Sequence, residues 1–319
     1  MPAEFTSGWF GNNECAWHNQ GVVTEGTLPA RDAFETADAL FQVEKRELQY
    51  PVFRDPNIVG VEPAGVFGVV RTDTQSLLGI VSQTYEVVQN EALLRMAEFI
   101  REEADMDSVI VLKNGARVAF TATLRGATEE VLPGDKVFRR LVGYLGHDGK
   151  TGCGAIFTNV RVVCANTLAA AMREGNKTSI IHKTGANSSF DKLITSIDTA
   201  RQSFAQEVQA MRELAEYKVS NEDFRYFLEQ VYAKDLKGDK SLDDLKKIKP
   251  IMHSMNRGFG SDIPGVHGTL WAAVNAVTEF ETSTKRGKNK KSRFMKANFG
   301  TGLTTSARAL EVAQDMAYA

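Results

Sequence analysis

The sequence has little cysteine and no long apolar run. Only 3 of its 319 residues are cysteines, at positions 15, 153 and 164. An odd and sparse set of cysteines does not suit a disulfide framework and is typical of a reducing compartment. No apolar run approaches the roughly 20 residues that a membrane-spanning helix requires. The segment from Met1 to Phe10 also lacks the basic start and apolar centre of a signal peptide, so we expect a cytoplasmic protein.

The sequence also has no large excess of positive or negative charge. The formal net charge is −2, and 43% of the residues are hydrophobic and 24% charged, as in an ordinary soluble globular protein. A chain of this composition is not a basic coat for nucleic acid. Any contact with DNA or RNA must therefore come from locally clustered charge.

Known catalytic motifs are also missing. The sequence contains no Walker A motif, no GxGxxG after a strand, no GxSxG and no HExxH. Cys15 and His18 lie three residues apart, but a zinc site needs three or four ligands and no second pair follows. By residue type alone, Cys164 would suit a nucleophile pair with His147 or His182. Free cysteine, however, is usually an inert, buried residue. We therefore predict no catalytic residues, no metal and no cofactor.

Strand patterns dominate the chain up to about residue 187. Four β-rich runs are joined in pairs by Asn114-Gly115 and Asp148-Gly149, and Asn-Gly is the strongest short-range hairpin signal because both residues accept positive φ. The runs are Val109–Leu112, Val118–Phe120, Leu141–Leu145 and Ala155–Val163. We predict a four-stranded antiparallel meander, with a helix from Asn166 to Met172 packed on it.

After Asn187 the sequence becomes helical, with apolar stripes that begin at capping signals such as Ser220 with Asp223. We predict an α+β fold, with an antiparallel sheet in residues 1–187 and a helical region in residues 188–319. No long disordered linker separates the two halves, which leaves open whether they form one folding unit. The apolar stripes exceed what a small core needs, so we expect a homo-oligomer.

The strongest charge feature is an acid-free stretch between Glu281 and Glu311. Its predicted loop, residues 282–298, carries seven cations: Lys285, Arg286, Lys288, Lys290, Lys291, Arg293 and Lys296. Lysine and arginine bind phosphates and release counterions, and aromatic residues such as the nearby Phe294 and Phe299 can stack on unpaired bases. The stretch favours a polyanion ligand. The alternative is a solvated loop that its phenylalanines anchor to the core.

Other residues could add to such a surface. Arg117, Arg139, Arg140 and Arg161 lie on or beside the predicted strands, where several on one face would form a groove wall. Isolated exposed arginines are the alternative. Trp271 and Asn275 lie one turn apart on a predicted helix. They either pack in the core or offer a base a stacking face.

Four short strings carry a resemblance to a known family. They are AWHNQG (16–21), YEVVQN (85–90), NVRVVCANTL (159–168) and WAAVNAVTE (271–279). Over nearly its whole length the chain resembles the phage/plasmid-like proteins of the domain-of-unknown-function 932 family. The resemblance implies a mobile-element protein that acts inside a bacterial cell, and it supplies no catalytic residues.

A β-meander closed by a helix is also similar to the β-β-β-α core of Rad52-like single-strand annealing proteins, an analogy of fold alone. We therefore expect a non-enzymatic protein that binds nucleic acid and prefers single-stranded DNA. We also expect it to anneal strands in phage or plasmid recombination. Two alternatives stay open. One is an interaction protein, such as one that blocks a host defence factor, and the other is an enzyme with an unrecognised site around His147, Cys153 and Cys164.

Overall fold

The computed structural model describes residues 5–11, 21–54, 57–161, 166–169, 177–180, 203–236, 238, 240–258, 260–281 and 301–318. The strands are β1 (Phe5–Phe10), β2 (Val22–Val23), β3 (Val43–Arg54), β4 (Asn57–Arg71), β5 (Ser76–Val81), β6 (Ala104–Leu112), β7 (Arg117–Glu130), β8 (Lys136–Gly146), β9 (Cys153–Arg161), β10 (Asn166–Ala169) and β11 (Lys177–Ile180). The helices are α1 (Ala30–Thr36), α2 (Glu91–Phe99), α3 (203–216), α4 (Asn221–Val231), α5 (Ile248–Arg257), α6 (Leu270–Glu279) and α7 (Thr301–Tyr318). The α+β prediction is confirmed.

An antiparallel meander forms the centre of the larger sheet. Strands β6, β7, β8 and β9 each pair antiparallel with the next, within the order β10-β9-β8-β7-β6-β1-β2. The turn between β6 and β7 places Asn114 at φ 59° and Gly115 at φ 106°. Asparagine and glycine adopt this left-handed backbone at low cost, which is why the dipeptide predicts the hairpin. The predicted four-stranded meander is confirmed.

The prediction of a helix that begins at Asn166 is wrong for residues 166–169. Residues Asn166–Ala169 form strand β10, which pairs antiparallel with residues 158–161 of β9. Pairing with β9 satisfies the backbone groups of Asn166 and Thr167 in a sheet ladder, so neither residue caps a helix. Residues 170–172 of the predicted helix lie outside the described residues. The meander is therefore continued by a strand where the analogy with β-β-β-α proteins requires a helix.

One apolar core joins the sheet to the helices of both halves. It includes Phe120 and Leu141 from the meander, Phe34 from α1, and Phe227 and Trp271 from the helical half. The core thus spans both sides of residue 187, although the predicted boundary itself lies outside the described residues. None of the described helices is both long enough and apolar enough to cross a membrane.

Helix α6 lies at the centre of the helical half. Every residue from Leu270 to Glu279 is buried, and α4, α5 and α7 all contact it. Its start is fixed by Thr269, whose hydroxyl accepts a hydrogen bond from the backbone N–H of Ala272 at 3.1 Å. The neighbouring helices therefore pack around α6. Glu281, which follows this helix, is the last described residue before the basic stretch.

Strands β3 and β4 form an exposed two-stranded arm over residues 49–63. Strand β5 pairs only with residues 67–71 of β4, whereas β3 and β4 stay paired from Gln49 and Pro63 onward to the turn. Pro51 and Val61 pair directly and share a face with Phe53, which alternation along β3 places on that side. Phe53 is 61% exposed and Val61 59% exposed. An isolated two-stranded hairpin is only marginally stable in water.

Candidate nucleic-acid interface

The seven predicted phosphate contacts of the loop lie outside the described residues: Lys285, Arg286, Lys288, Lys290, Lys291, Arg293 and Lys296. The elements on either side of this segment are described. It follows α6, and it leads into α7, which packs against α6. Its two ends are therefore fixed to one part of the helical half.

Arg139 is an internal residue of the sheet. Its side chain is fully buried, and its guanidinium forms an ion pair with Glu207 of α3. It also donates to Asn159 Oδ1 at 2.9 Å and to Ser203 Oγ at 3.1 Å. A fully buried guanidinium cannot reach a surface phosphate, so we do not retain Arg139 among the candidate contacts.

Arg140 and Arg117 are paired with acids at the sheet. Arg140 Nε lies 2.9 Å from Asp107 Oδ2, with side-chain exposures of only 13% and 8%. Arg117 Nε donates to Asp148 Oδ2 at 2.8 Å. Because each positive charge is balanced by a carboxylate, these arginines do not form the predicted groove wall. Arg161 belongs to β9, and its side chain lies outside the described residues.

The Arg117–Asp148 pair is stabilised by further hydrogen bonds to the Asp148 carboxylate. Burial alone would raise the pKa of its carboxyl, but hydrogen bonds from the backbone N–H groups of Lys150 and Thr151, and from Arg117, keep that pKa below its ordinary value. The carboxylate accepts from these two backbone groups at 2.9 and 2.6 Å. It therefore orders the turn between β8 and β9 and stays charged beside Arg117.

A row of basic residues lies on the exposed face of α5. Lys249, His253 and Arg257 are spaced four residues apart, and all three side chains are exposed. Four residues advance an α-helix by about 6 Å and slightly more than one turn, so the three side chains follow one another along a single face. Lys246, exposed in the turn before the helix, lies three residues ahead of Lys249. We call these four residues the α5 row.

In the described part of the chain none of the residues of the α5 row forms an ion pair. Arg225 and, to a smaller extent, the charge of Lys249 lower the pKa of the nearby Asp243 carboxyl. The neighbouring Asp243 is held by Arg225, whose Nη2 lies 2.7 Å from Asp243 Oδ2. Helix α5 itself contains no acidic residue. The row is thus a locally positive surface on a protein that is nearly neutral overall, and such a surface attracts polyanions.

Burial of the opposite face of α5 fixes the direction of the row. Ile248, Ile251 and Met255 are buried on that face. Pro250 occupies the first turn, where the missing N–H would have had no partner within the helix, so it does not disturb α5. The packing of the apolar side therefore holds the cations toward solvent.

The C-terminal ends of α5 and α6 meet at one corner. Ser254 Oγ donates to Glu279 Oε1 at 3.2 Å. Gly258 lies so close that a Cβ atom built on it would be 2.5 Å from Glu279 Oε2. Residue 282, where the basic loop begins, follows Glu279 by three positions. Arg257, the last member of the α5 row, therefore lies near Glu281, the last described residue before the loop 282–298.

The reasoning from sequence missed the α5 row. It has fewer cations than the loop, and Asp243 and Asp244 precede it, so it does not stand out in a scan of net charge. Two signals were present: residues 245–261 contain no acid, and Lys249, His253 and Arg257 recur at the helical spacing of four. Read together, they indicate a basic helix face.

Trp271 and Asn275 belong to the core. Trp271 is fully buried, and its Nε1 donates to Asp135 Oδ2 at 2.7 Å. The Asn275 side-chain amide donates to the Trp271 carbonyl at 2.8 Å. Of the two interpretations, core packing is confirmed, and the indole offers no stacking face to a base.

The residues considered for nucleophilic or metal chemistry are buried or undescribed. Burial raises the pKa of the Cys153 thiol to about 12, so the thiol stays protonated and unreactive. His147 is fully buried, with Nε2 2.9 Å from Asn90 Oδ1. Cys15, Cys164, His18 and His182 lie outside the described residues. Within the described ranges, no group of three or more His, Cys, Asp or Glu residues is arranged to hold a metal ion.

Comparison with known proteins gives one match. No curated protein and no solved structure matches the chain. The sequence profile of one family, described as "Domain of unknown function (DUF932)", matches residues 77–303. That range begins in β5 and ends in α7, so it contains the whole meander, the α5 row and the basic loop. The match spans well over half of the sequence, and the chain therefore belongs to the DUF932 family.

Proposed function

We propose that the protein binds nucleic acid on the surface formed by the α5 row and the basic loop 282–298, and that single-stranded DNA is its preferred ligand. The observation that carries this proposal is the row of exposed basic residues on α5, none of which forms an ion pair with an acid in the described part of the chain. The acid-free stretch that follows Glu281 in sequence supplies seven further cations to the proposed site. Phe294 within the loop and Phe299 directly after it in sequence favour a single strand, whose bases are free to stack on aromatic rings.

The chemistry of the α5 row favours contacts to phosphate and not to bases. Lysine and arginine bind the backbone of any sequence. Asn256, the exposed amide on the same helix, donates to the Met252 carbonyl of α5 at 3.0 Å. We therefore expect binding with little sequence preference and with a steep dependence on salt concentration.

Charge reversal on α5 tests the proposal. The double variant Lys249→Glu/Arg257→Glu should weaken the binding of a labelled single-stranded oligonucleotide by about tenfold or more near 100 mM salt, because two phosphate contacts become repulsive. The slope of log affinity against log salt concentration should also fall by about 2, one for each lost contact. Fluorescence anisotropy across a salt series measures both quantities.

The matched control is Arg95→Glu/Lys150→Glu, which changes the net charge equally at exposed positions in the sheet half. It should bind like the wild type. The loop variant Lys290→Glu/Lys291→Glu should weaken binding as the α5 variant does. Affinity that does not change with salt, or an α5 variant that binds as tightly as the control, would contradict the proposal. Mixing the wild type with two complementary strands tests annealing, which would appear as faster formation of duplex.

We also propose that the exposed arm over residues 49–63 joins copies of this chain. The carrying observation is its apolar face, where Phe53 and Val61 are more than half exposed. Every copy presents the same face, so two arms can pack against each other around a two-fold axis. Burial of both faces would supply the partner that an isolated hairpin needs.

The double variant Phe53→Ser/Val61→Ser should convert the wild-type oligomer into monomers, because it replaces two exposed apolar side chains of that face with polar ones. Sedimentation velocity measures the change. The control Leu77→Ser/Ile80→Ser alters two strand residues of similar exposure, 55% and 59%, outside the arm, and should leave the oligomer intact. A monomeric wild type would rule out this contact.

A further inference from the structure

The two acids that lie just ahead of the α5 row are both bound by residues outside the row. Asp243 and Asp244 belong to the 3₁₀ turn Leu242–Asp244. The Asp244 carboxylate accepts hydrogen bonds from the Ser241 backbone N–H at 2.8 Å and from the Ser241 hydroxyl at 2.9 Å. Asp243 is bound by Arg225 of α4. Neither acid is therefore directed at the row by its hydrogen bonds.

The Arg225–Asp243 pair contains two parallel hydrogen bonds. Arg225 Nη1 donates to Asp243 Oδ1 at 3.1 Å, and Arg225 Nη2 donates to Asp243 Oδ2 at 2.7 Å. A bidentate contact of this kind fixes the orientation of a carboxylate as well as its position. Both carboxylate oxygens of Asp243 are thus held toward α4.

Asp243 is nevertheless close enough to the α5 row to affect it. The hydrogen bond from Arg225 and, to a smaller extent, the charge of Lys249 hold the pKa of the Asp243 carboxyl below its ordinary value, so the group is charged at neutral pH. A carboxylate and a phosphate are both anions that accept hydrogen bonds from an ammonium group, and they compete for it. An Asp243 released from Arg225 would therefore pair with Lys249 at the expense of a bound strand.

We propose that Arg225 is a positioning residue of the nucleic-acid surface, which holds the Asp243 carboxylate toward α4 and so leaves Lys249 available to a phosphate. Arg225 makes no contact with the strand in this arrangement, because its guanidinium is already bound to Asp243. The inference rests on the proposed function, since it states what sets the affinity of the α5 row. Because Arg225 acts through its neighbour, its effect should disappear when Asp243 loses its charge.

A double-mutant cycle on the pair tests this role. Arg225→Met should weaken the binding of a labelled single-stranded oligonucleotide about fivefold near 100 mM salt, the size of a good exposed ion pair, because Asp243 then occupies Lys249. Asp243→Asn removes the competing charge and should tighten binding about twofold. When Arg225→Met is added to Asp243→Asn, the affinity should change by less than about twofold. Fluorescence anisotropy measures all four proteins.

The pair of Arg125 and Asp105 supplies matched controls in the sheet half. Arg125 Nε donates to Asp105 Oδ1 at 2.9 Å. The side chains of this pair are 51% and 44% exposed, and those of Arg225 and Asp243 are 41% and 69% exposed. Arg125→Met and Asp105→Asn make the same changes in net charge, and each should alter the affinity by less than about twofold. Exposed ion pairs add little to stability, so the urea midpoints of all these variants should stay close to that of the wild type.

Two results would overturn the inference. If Arg225→Met weakens binding equally with Asp243 and with asparagine at that position, Arg225 itself contacts the strand. If Arg225→Met does not weaken binding while Lys249→Glu/Arg257→Glu does, the positioning role is wrong and the proposed function survives. A wild type that binds no oligonucleotide, or a Lys249→Glu/Arg257→Glu variant that binds as tightly as the wild type, removes the proposed function and this inference together.

Discussion

Replacing Arg139 by methionine is expected to lower the free energy of unfolding by about 3–5 kcal/mol, the usual cost of removing one partner from a buried ion pair. Arg139 is fully buried and Glu207 is only 17% exposed. The substitution keeps the apolar length of the side chain but leaves the Glu207 carboxylate without its counterion. Urea unfolding followed by circular dichroism measures the loss.

The physical basis is a four-residue polar cluster between the meander and α3. Glu207 accepts hydrogen bonds from the Asn159 amide at 2.7 Å and from the Ser203 hydroxyl at 2.9 Å. Two neutral donors do not replace a guanidinium, because desolvating a carboxylate costs far more than desolvating an uncharged polar group. The cluster therefore tolerates the loss of neither charge alone.

Removing both charges together should recover much of the loss. The double variant Arg139→Met/Glu207→Leu removes both charges of this pair, and such replacements are often neutral or stabilising. A double variant that is as unstable as Arg139→Met would show that packing, and not charge, sets the cost. Below its unfolding transition, Arg139→Met should still bind oligonucleotide with wild-type affinity, since the guanidinium does not reach the surface.

The meander was predictable because its signals are local. Turn residues such as Asn114 and Gly115 determine where the chain reverses, and the β-rich runs beside them need only their neighbours to pair. Strand β10 could not be predicted in this way, because its sequence carries no such local signal. Asn166 and Thr167 are as suitable for a helix cap as for a strand, and only the pairing with β9 decides between the two.

The candidate site was less predictable, because residues distant in sequence determine whether a charged side chain is paired and buried or free and exposed. Arg139 is neutralised by an acid 68 positions away, which no local pattern reveals. The Lys249–Arg257 spacing was visible, but its importance depends on which face of α5 is buried. The residue types of a charged surface can thus be read from sequence, whereas the distinction between paired and free charges requires the fold.

The second large effect is expected at Trp271, where alanine should lower the free energy of unfolding by about 3–5 kcal/mol, as for other fully buried tryptophans. The milder Trp271→Phe should cost about 1–3 kcal/mol, since it keeps most of the packing and removes the hydrogen bond to Asp135. Asp135 is itself fully buried. Guanidinium chloride unfolding of the wild type and both variants measures the two contributions.

The same measurements decide whether the two halves of the chain fold together. Trp271 belongs to the helical half and Asp135 to the sheet half, and the apolar core includes residues of both. A defect at their contact should therefore destabilise both halves in one cooperative transition. In Trp271→Phe combined with Trp17→Phe, Trp9 is the one tryptophan left in the sequence. Its fluorescence, from a site buried in β1, reports on the sheet, while far-UV circular dichroism reports mainly on the helices. Coincident curves would establish one folding unit, whereas a helical transition that precedes the loss of Trp9 fluorescence would divide the chain into two domains.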